Sequence, residues 1–221
     1  LGRRVVRTPW HEGWPIDVAA LEQALRDDRD HAIKAVFAVH TDTASSATSE
    51  IAGLRRALDA LEELLPLAGR RVLDVGAGVG TLLAELVRRD CELVAVEPSR
   101  AMARLARARF PRVPVHEAPA DALSFLPDGS IDVAILAATL HGFTPEYRAR
   151  VYAELRRVVR EAVVVIDYHE NRNPLVAAAE WLESGDYFAF VKRVDAELAA
   201  RFARVERRRL GATESLRVAW M

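Results

Sequence analysis

The run Val72 to Gly80, read VLDVGAGVG, sets one acid and three glycines in the order Asp74-x-Gly76-x-Gly78-x-Gly80. Such a string suits a tight turn around a polar ligand. Glycine has no Cβ, so Gly76, Gly78 and Gly80 are free to take positive φ and to let backbone come close to a bound molecule. A helix expected from Thr81 to Arg89 would offer its unpaired N–H groups to the same ligand. The spacing departs from the dinucleotide loop G-x-G-x-x-G, whose third glycine would fall at Thr81; Gly80 comes one residue early. A second acid, Glu97, follows Asp74 by 23 residues, one strand–helix–strand step (97 − 74). A nucleotide-like ligand is the expectation for this turn.

An open α/β sheet is the scaffold that holds residues in this way. After the strand that carries Asp74, the apolar runs Leu93 to Val96, Ile131 to Leu136 and Ala162 to Ile166 read as further strands. A helix from Tyr147 to Val159 turns Val151, Leu155 and Val158 to one face. Arg204 to Leu210 and Ser215 to Trp220 suit a closing antiparallel hairpin across Gly211-Ala212-Thr213. The stretch Leu175 to Leu198 reads as mostly helical and aromatic, fit either to cover a pocket or to pack on the sheet. Ligands of such sheets bind beyond the carboxyl ends of the strands. The favoured positions are therefore Thr139 to Gly142 after one strand and Asp167, Tyr168, His169, Glu170 and Asn171 after the next.

The glycine string resembles the first motif of the class I S-adenosylmethionine (SAM) dependent methyltransferases. Glu97, Pro98, Ser99 and Met102 look like that family's second motif, and Ala120-Asp121-Ala122-Leu123 with the turn and strand Pro127 to Leu136 resemble its adenine loop and fourth strand. The resemblance covers about residues 61–221. It implies a Rossmann-like sheet, mostly parallel with a reversed last strand and helices on both faces. It also implies SAM as cofactor, with Asp74, Gly76, Ala77, Gly78 and Gly80 at the methionine part and Glu97 accepting from the ribose hydroxyls. Pro98 and Met102 lie beside Glu97, Ala120 and Asp121 near the adenine, and Ala137 at the end of the fourth strand. Where family members carry an acid before the small adenine-loop residue, this chain has Pro119. Methyl transfer asks the protein chiefly to align a nucleophile and exclude water. If a proton must leave the acceptor, His141 and His169 are the candidate bases, since imidazole titrates near neutral pH. Tyr168 is expected to offer an aromatic face to substrate or cofactor.

The first sixty residues have another character. Gly2 to Thr8 and Ala32 to His40 read as strands around a helix from about Asp17 to Asp27, and a second helix runs from Ile51 to Leu65. The wording Arg7-Thr-Pro-Trp-His-Glu-Gly-Trp14, His31 to Thr43 and Thr48 to Asp59 resembles class V aminotransferases of the serine– and alanine–glyoxylate type, which use pyridoxal phosphate (PLP). Two domains are expected: an aminotransferase-like β-α-β-α appendage, about residues 1–60, and a methyltransferase domain, residues 61–221, joined within the helix Ile51 to Leu65. PLP chemistry needs a Schiff-base lysine. The chain's only lysines are Lys34 and Lys192, and neither stands where that family has its lysine, so PLP is not expected. A β-α-β-α piece cannot bury enough apolar surface to offset ordering about sixty residues at roughly 1–2 kcal/mol each. Its strands are expected to pair with a sheet edge or with a second copy of the chain.

Composition narrows the partners. Across 221 residues the chain is 51% hydrophobic with a formal charge of −1, which gives no basic footprint for nucleic acid. The cluster Arg201, Arg204, Arg207, Arg208 and Arg209 is interleaved with Glu197 and Glu206 and reads as a solvated face. Apolar runs are far shorter than the roughly 20 residues that span a bilayer, and no secretory signal pattern opens the sequence. The single cysteine, Cys91, fits a reducing compartment and a cytoplasmic location. His40, His116, Asp167 and His169 match no short metal motif, so no metal is expected. The leading expectation is a SAM-dependent methyltransferase acting on a small molecule. A non-catalytic SAM-fold binding or assembly module and an aminotransferase remnant are the alternatives.

Overall fold

The computed structural model describes residues 51–168, 187–210 and 214–221, together with Gln23, Arg26 and Asp27. Those three residues are helical, with Gln23 Nε2 donating to Asp27 Oδ1 at 2.9 Å, within the helix expected there. The two N-terminal strands, His40 and the hairpin turn 211–213 lie outside the described residues, as do residues 169–186.

The elements run α1 (Ile51–Glu62), β1 (Arg71–Val75), α2 (Leu83–Leu86), β2 (Glu92–Val96), α3 (Arg100–Arg109), β3 (Val115–His116), β4 (Ile131–Ala137), α4 (Pro145–Val158), β5 (Val159–Tyr168), α5 (Tyr187–Ala199), β6 (Arg204–Arg209) and β7 (Glu214–Trp220). The strands form one seven-stranded sheet in the order β3-β2-β1-β4-β5-β7-β6. β1 pairs in parallel with both β2 and β4, β4 with β5, while β7 runs antiparallel to β5 and β6. The expected reversed last strand is therefore present. Strand order turns back between β1 and β4, which opens a crevice above their carboxyl ends.

The central strands read as unbroken apolar runs because both of their faces are covered. On one face Leu73, Val75, Ala134, Leu136, Val163 and Val165 pack with Val151, Tyr152 and Leu155 of α4 and Phe190, Val194 and Leu198 of α5. On the other, Val72, Ala95, Val133, Ile135, Val164 and Val218 meet Ala57, Leu58 and Leu61 of α1 with Leu83 and Leu86 of α2. Thr144, whose hydroxyl accepts from Tyr147 N–H, and Pro145 at the first turn start α4 two residues ahead of the expected Tyr147. β5 begins at Val159, directly after that helix, and runs longer than the expected Ala162 to Ile166.

One expectation is revised. The helix expected from Thr81 to Arg89 is only Leu83–Leu86, bracketed by tight turns in which Glu85 N–H donates to Leu82 O, Arg88 N–H to Glu85 O and Arg89 N–H to Leu86 O. Asp90, at φ 33°, then ends the segment. A single turn has little macrodipole to offer a ligand. Helix α1 lies where the sequence places the join, and its Ala57, Leu58 and Leu61 are all fully buried in the sheet's own core.

Candidate active site

The chain bends at the end of β1 through Gly76, Gly78 and Gly80, with φ of 77°, 55° and 87°. All three lie where a Cβ is disfavoured, as the spacing suggested. The bend is tied down from below. Gly76 and Ala77 N–H both donate to Val96 O, at 2.9 and 3.0 Å, and Gly80 N–H donates to Ala77 O at 2.8 Å. The vacancies beside two glycines are filled by the protein itself. A Cβ on Gly76 would sit 2.9 Å from Thr139 Cγ2, and one on Gly80 would sit 2.4 Å from the Phe110 ring. Gly80 is thus a packing glycine, and Arg109 completes the clamp by donating to Val79 O at 2.7 Å.

Glu97 closes β2 as expected and points back into this bend. Its Oε2 accepts Gly78 N–H at 2.9 Å and its Oε1 accepts Ser99 N–H at 2.8 Å. Each oxygen keeps a second lone pair. Pro98 is exposed, Ser99 caps α3, and Met102 is buried beneath the cap. Asp74 is 1% exposed, and its Oδ2 is buried with no hydrogen-bond partner among the described residues. Burial first, and the negative charge of Glu97 second, push its carboxyl up to about 8. An orphaned acid oxygen within a glycine bend fits a cationic group of a ligand.

Across the crevice, β4 ends at Ala137, and Ala138 takes φ 50°, a costly conformation for a residue with a side chain. That twist brings Thr139 over Gly76, where its hydroxyl donates to Ala137 O at 2.9 Å. The next turn, Leu140–Gly142, hangs on Asp167 at the end of β5. One oxygen of Asp167 accepts Leu140 and His141 N–H at 3.1 and 3.3 Å, and the other lies 2.8 Å from His141 Nδ1. His141 is buried, edge-on to Phe190 of α5 at 6.4 Å between ring centroids. Tyr168 continues β5 by pairing with Glu214. His169 lies outside the described residues.

In the loop expected from the resemblance to face adenine, Ala120 is buried and Asp121 is engaged by helix α4, its Oδ2 2.8 Å from Arg150 Nε. His116 stacks on Phe125 at 4.3 Å, and burial, then Arg107, lower its pKa. No group of three His, Cys, Asp or Glu side chains among the described residues could hold a metal ion. Burial pushes the half-buried Cys91 thiol up to about 11, which leaves it a poor nucleophile at neutral pH. Arg207 and Arg208 of the basic cluster pair with Asp195 and Glu63, at 2.6 and 2.7 Å.

Sequence reading missed Phe110, Arg109 and the fully buried Arg148, whose guanidinium grips Glu197 of α5 at 2.9 and 2.8 Å. For Arg148 a signal existed: it stands on the α4 stripe of Val151, Tyr152 and Leu155, where a charge calls for a buried partner.

Comparison with known proteins agrees with this geometry. Residues 72–162 match the family of methyltransferase domains. An uncharacterised methyltransferase of Mycobacterium tuberculosis is 39% identical over 102 residues, which is 46% of this chain and 40% of that protein. The chain therefore spans well under half the length of that relative. The L-aspartate–glyoxylate aminotransferase of Paracoccus denitrificans is 49% identical over 55 residues, 25% of this chain and 13% of that enzyme. Among solved structures, a SAM-dependent methyltransferase from Aquifex aeolicus superimposes with a TM-score of 0.57 at 21% identity, covering 78% of this chain and 93% of that one. No helix among the described residues is long and apolar enough to cross a membrane. From β1 into β5 the chain thus matches a methyltransferase domain, and its sheet shares its fold with a SAM-dependent methyltransferase of known structure.

Proposed function

We infer that the chain is a SAM-dependent methyltransferase whose acceptor is a small molecule. The observation that carries this reading is the orphaned Oδ2 of Asp74, buried in a glycine bend at the sheet's switch point with Glu97 one crossover away. The α-ammonium of SAM supplies the missing partner of Asp74. The second lone pairs of Glu97 suit the ribose hydroxyls, and Ala120 with the Asp121–Arg150 pair borders the adenine. Bound SAM supplies an activated methyl group, and the protein's task is to align an acceptor and keep water out.

The acceptor side of the site is read from the ends of β4 and β5. Asp167 fixes the His141 ring, and Phe190 of α5 borders it. His141 is the candidate for holding an acceptor or taking its proton; His169 and Tyr168 retain the roles expected for them from sequence. The same reading includes a cytoplasmic location, no nucleic-acid partner, no PLP and self-association through the aminotransferase-like segment.

Calorimetric titration with SAM tests the cofactor site. Saturable binding by the wild type, lost or weakened by about 10–100-fold in Glu97→Ala through removal of charge-assisted hydrogen bonds, is the expected outcome. Gly78→Val should abolish binding, because valine cannot hold φ 55°. Unchanged affinity in both variants, with each protein folded, would reject the site.

A further inference from the structure

Asp74 sits on the face of β1 that Val72 occupies two residues earlier, over a core supplied by Ala57, Leu61 and Leu83. A carboxyl in such surroundings keeps a charge only if donors or a cation compensate it. Its Oδ2 has no such partner among the described residues. The one charge acting on it is that of Glu97 at the end of β2, which is repulsive. From β4 and the turn beyond it the crevice is faced by Ala137 and Thr139, which do not titrate. Of the charged side chains on and beside α1 and α2, Arg55 is engaged with Glu85 at 2.9 Å and Asp59 with Arg89 at 2.7 Å, while Arg56 is exposed. Glu97, by contrast, has a backbone N–H on each oxygen.

Resting on the cofactor reading above, we propose that ligand capture by this chain is proton-coupled: Asp74 holds a proton in the empty protein and gives it up when the ligand's α-ammonium arrives. The balance is simple. A neutral carboxylic acid and an ammonium become a carboxylate–ammonium pair, and one proton passes to the solvent. Two consequences follow from linkage. Affinity strengthens with rising pH while Asp74 is protonated in the empty state. It levels off above about 8, where the proton is already gone. Asp74 thereby also becomes a specificity element, since a ligand without the cationic tail cannot draw the proton off.

The test is a calorimetric titration of the full chain with S-adenosylhomocysteine, whose sulfur is neutral and whose only cation is the α-ammonium. Titrations just below neutral pH, in buffers of different ionisation enthalpy, report the number of protons exchanged. Close to one proton released per ligand is expected, with Kd falling about tenfold per pH unit in that range. Asp74→Asn should bind more weakly, with no proton released and a flat pH profile. Wild-type binding without proton release would overturn the proposal and leave the cofactor site standing. Undiminished release in Asp74→Asn would also overturn it, because the proton would come from elsewhere. If the folded wild type does not bind at all, the cofactor reading itself fails.

Discussion

Burying Asp74 near the charge of Glu97 is unfavourable for its ionised form. The carboxyl titrates at its ordinary value of 3.8 in an unfolded chain and at about 8 in the fold. Between those values the folded state holds a proton that the unfolded state has lost, so stability falls as pH rises through this window and flattens above it. Asp74→Asn removes that dependence. A gain of at least about 1 kcal/mol, or roughly 2–4 °C in Tm, is expected for the empty variant at mildly alkaline pH, read by thermal melts across pH. An equal or lower Tm would contradict the account. Gly80 makes a separate prediction. Alanine there meets the Phe110 ring and must hold φ 87°, so Gly80→Ala should cost about 1–3 kcal/mol in chemical denaturation. Phe110→Leu in the same chain should return part of that loss, since it relieves the contact and leaves the backbone cost. The sequence named all three glycines correctly as turn residues. It could not assign Gly80 to packing, because Phe110 reaches it from the far end of α3, thirty residues away in the chain.

At the level of elements, α5 is held to the sheet's α4 face by charge as well as by apolar contact. Arg148 is fully buried and forked on Glu197, with its NH1 donating to Phe143 O at 2.5 Å. The Tyr152 hydroxyl adds a bond to the same carboxylate at 3.4 Å. Removing the carboxylate of such a pair leaves a buried guanidinium without its counter-charge, which costs about 3–5 kcal/mol. Glu197→Gln should therefore destabilise strongly and loosen α5, seen as faster amide exchange over residues 187–199. Arg148→Met combined with Glu197→Leu should recover most of the stability. A mild effect of Glu197→Gln would show that Phe190, Val194 and Leu198, with the pairs of Asp195 to Arg207 and Arg217, suffice to hold the helix. Strands β1, β2, β4 and β5 were legible because sheet strands covered on both faces must be apolar throughout. The start of α4 was misplaced, because apolar periodicity alone begins the helix at Tyr147, whereas Thr144 and Pro145 open it two residues earlier. The two-residue β3 escaped notice, since Val115–His116 is too short to show any period. The shortening of α2 was equally hidden, because only the positive φ of Asp90 and the turn bonds around it reveal the stop.

For the whole molecule, we propose that the join between the aminotransferase-like and methyltransferase-like segments falls inside α1. The aminotransferase-like wording continues to Asp59, yet Ala57, Leu58 and Leu61 on the same helix complete the core on one face of the seven-stranded sheet. A boundary placed before Ile51 is therefore the better proposal. Residues 51–221 should fold cooperatively, whereas residues 61–221, which lack two fully buried side chains of that helix, should lose several kcal/mol or fail to fold. Equal melting temperatures for the two chains would refute this. Light scattering on the full chain beside residues 51–221 then asks whether the first fifty residues drive self-association. Composition could not have placed the join, because an amphipathic helix of either origin presents the same apolar stripe.

The central claim is that the glycine bend and Glu97 form a SAM site, and titration of the full chain with SAM, with NAD and PLP run alongside, addresses it most directly. Saturable binding of one SAM per chain, with no heat from NAD and no visible absorbance band with PLP, is the predicted result. A folded protein that ignores SAM, or that takes up NAD in its place, would contradict the account.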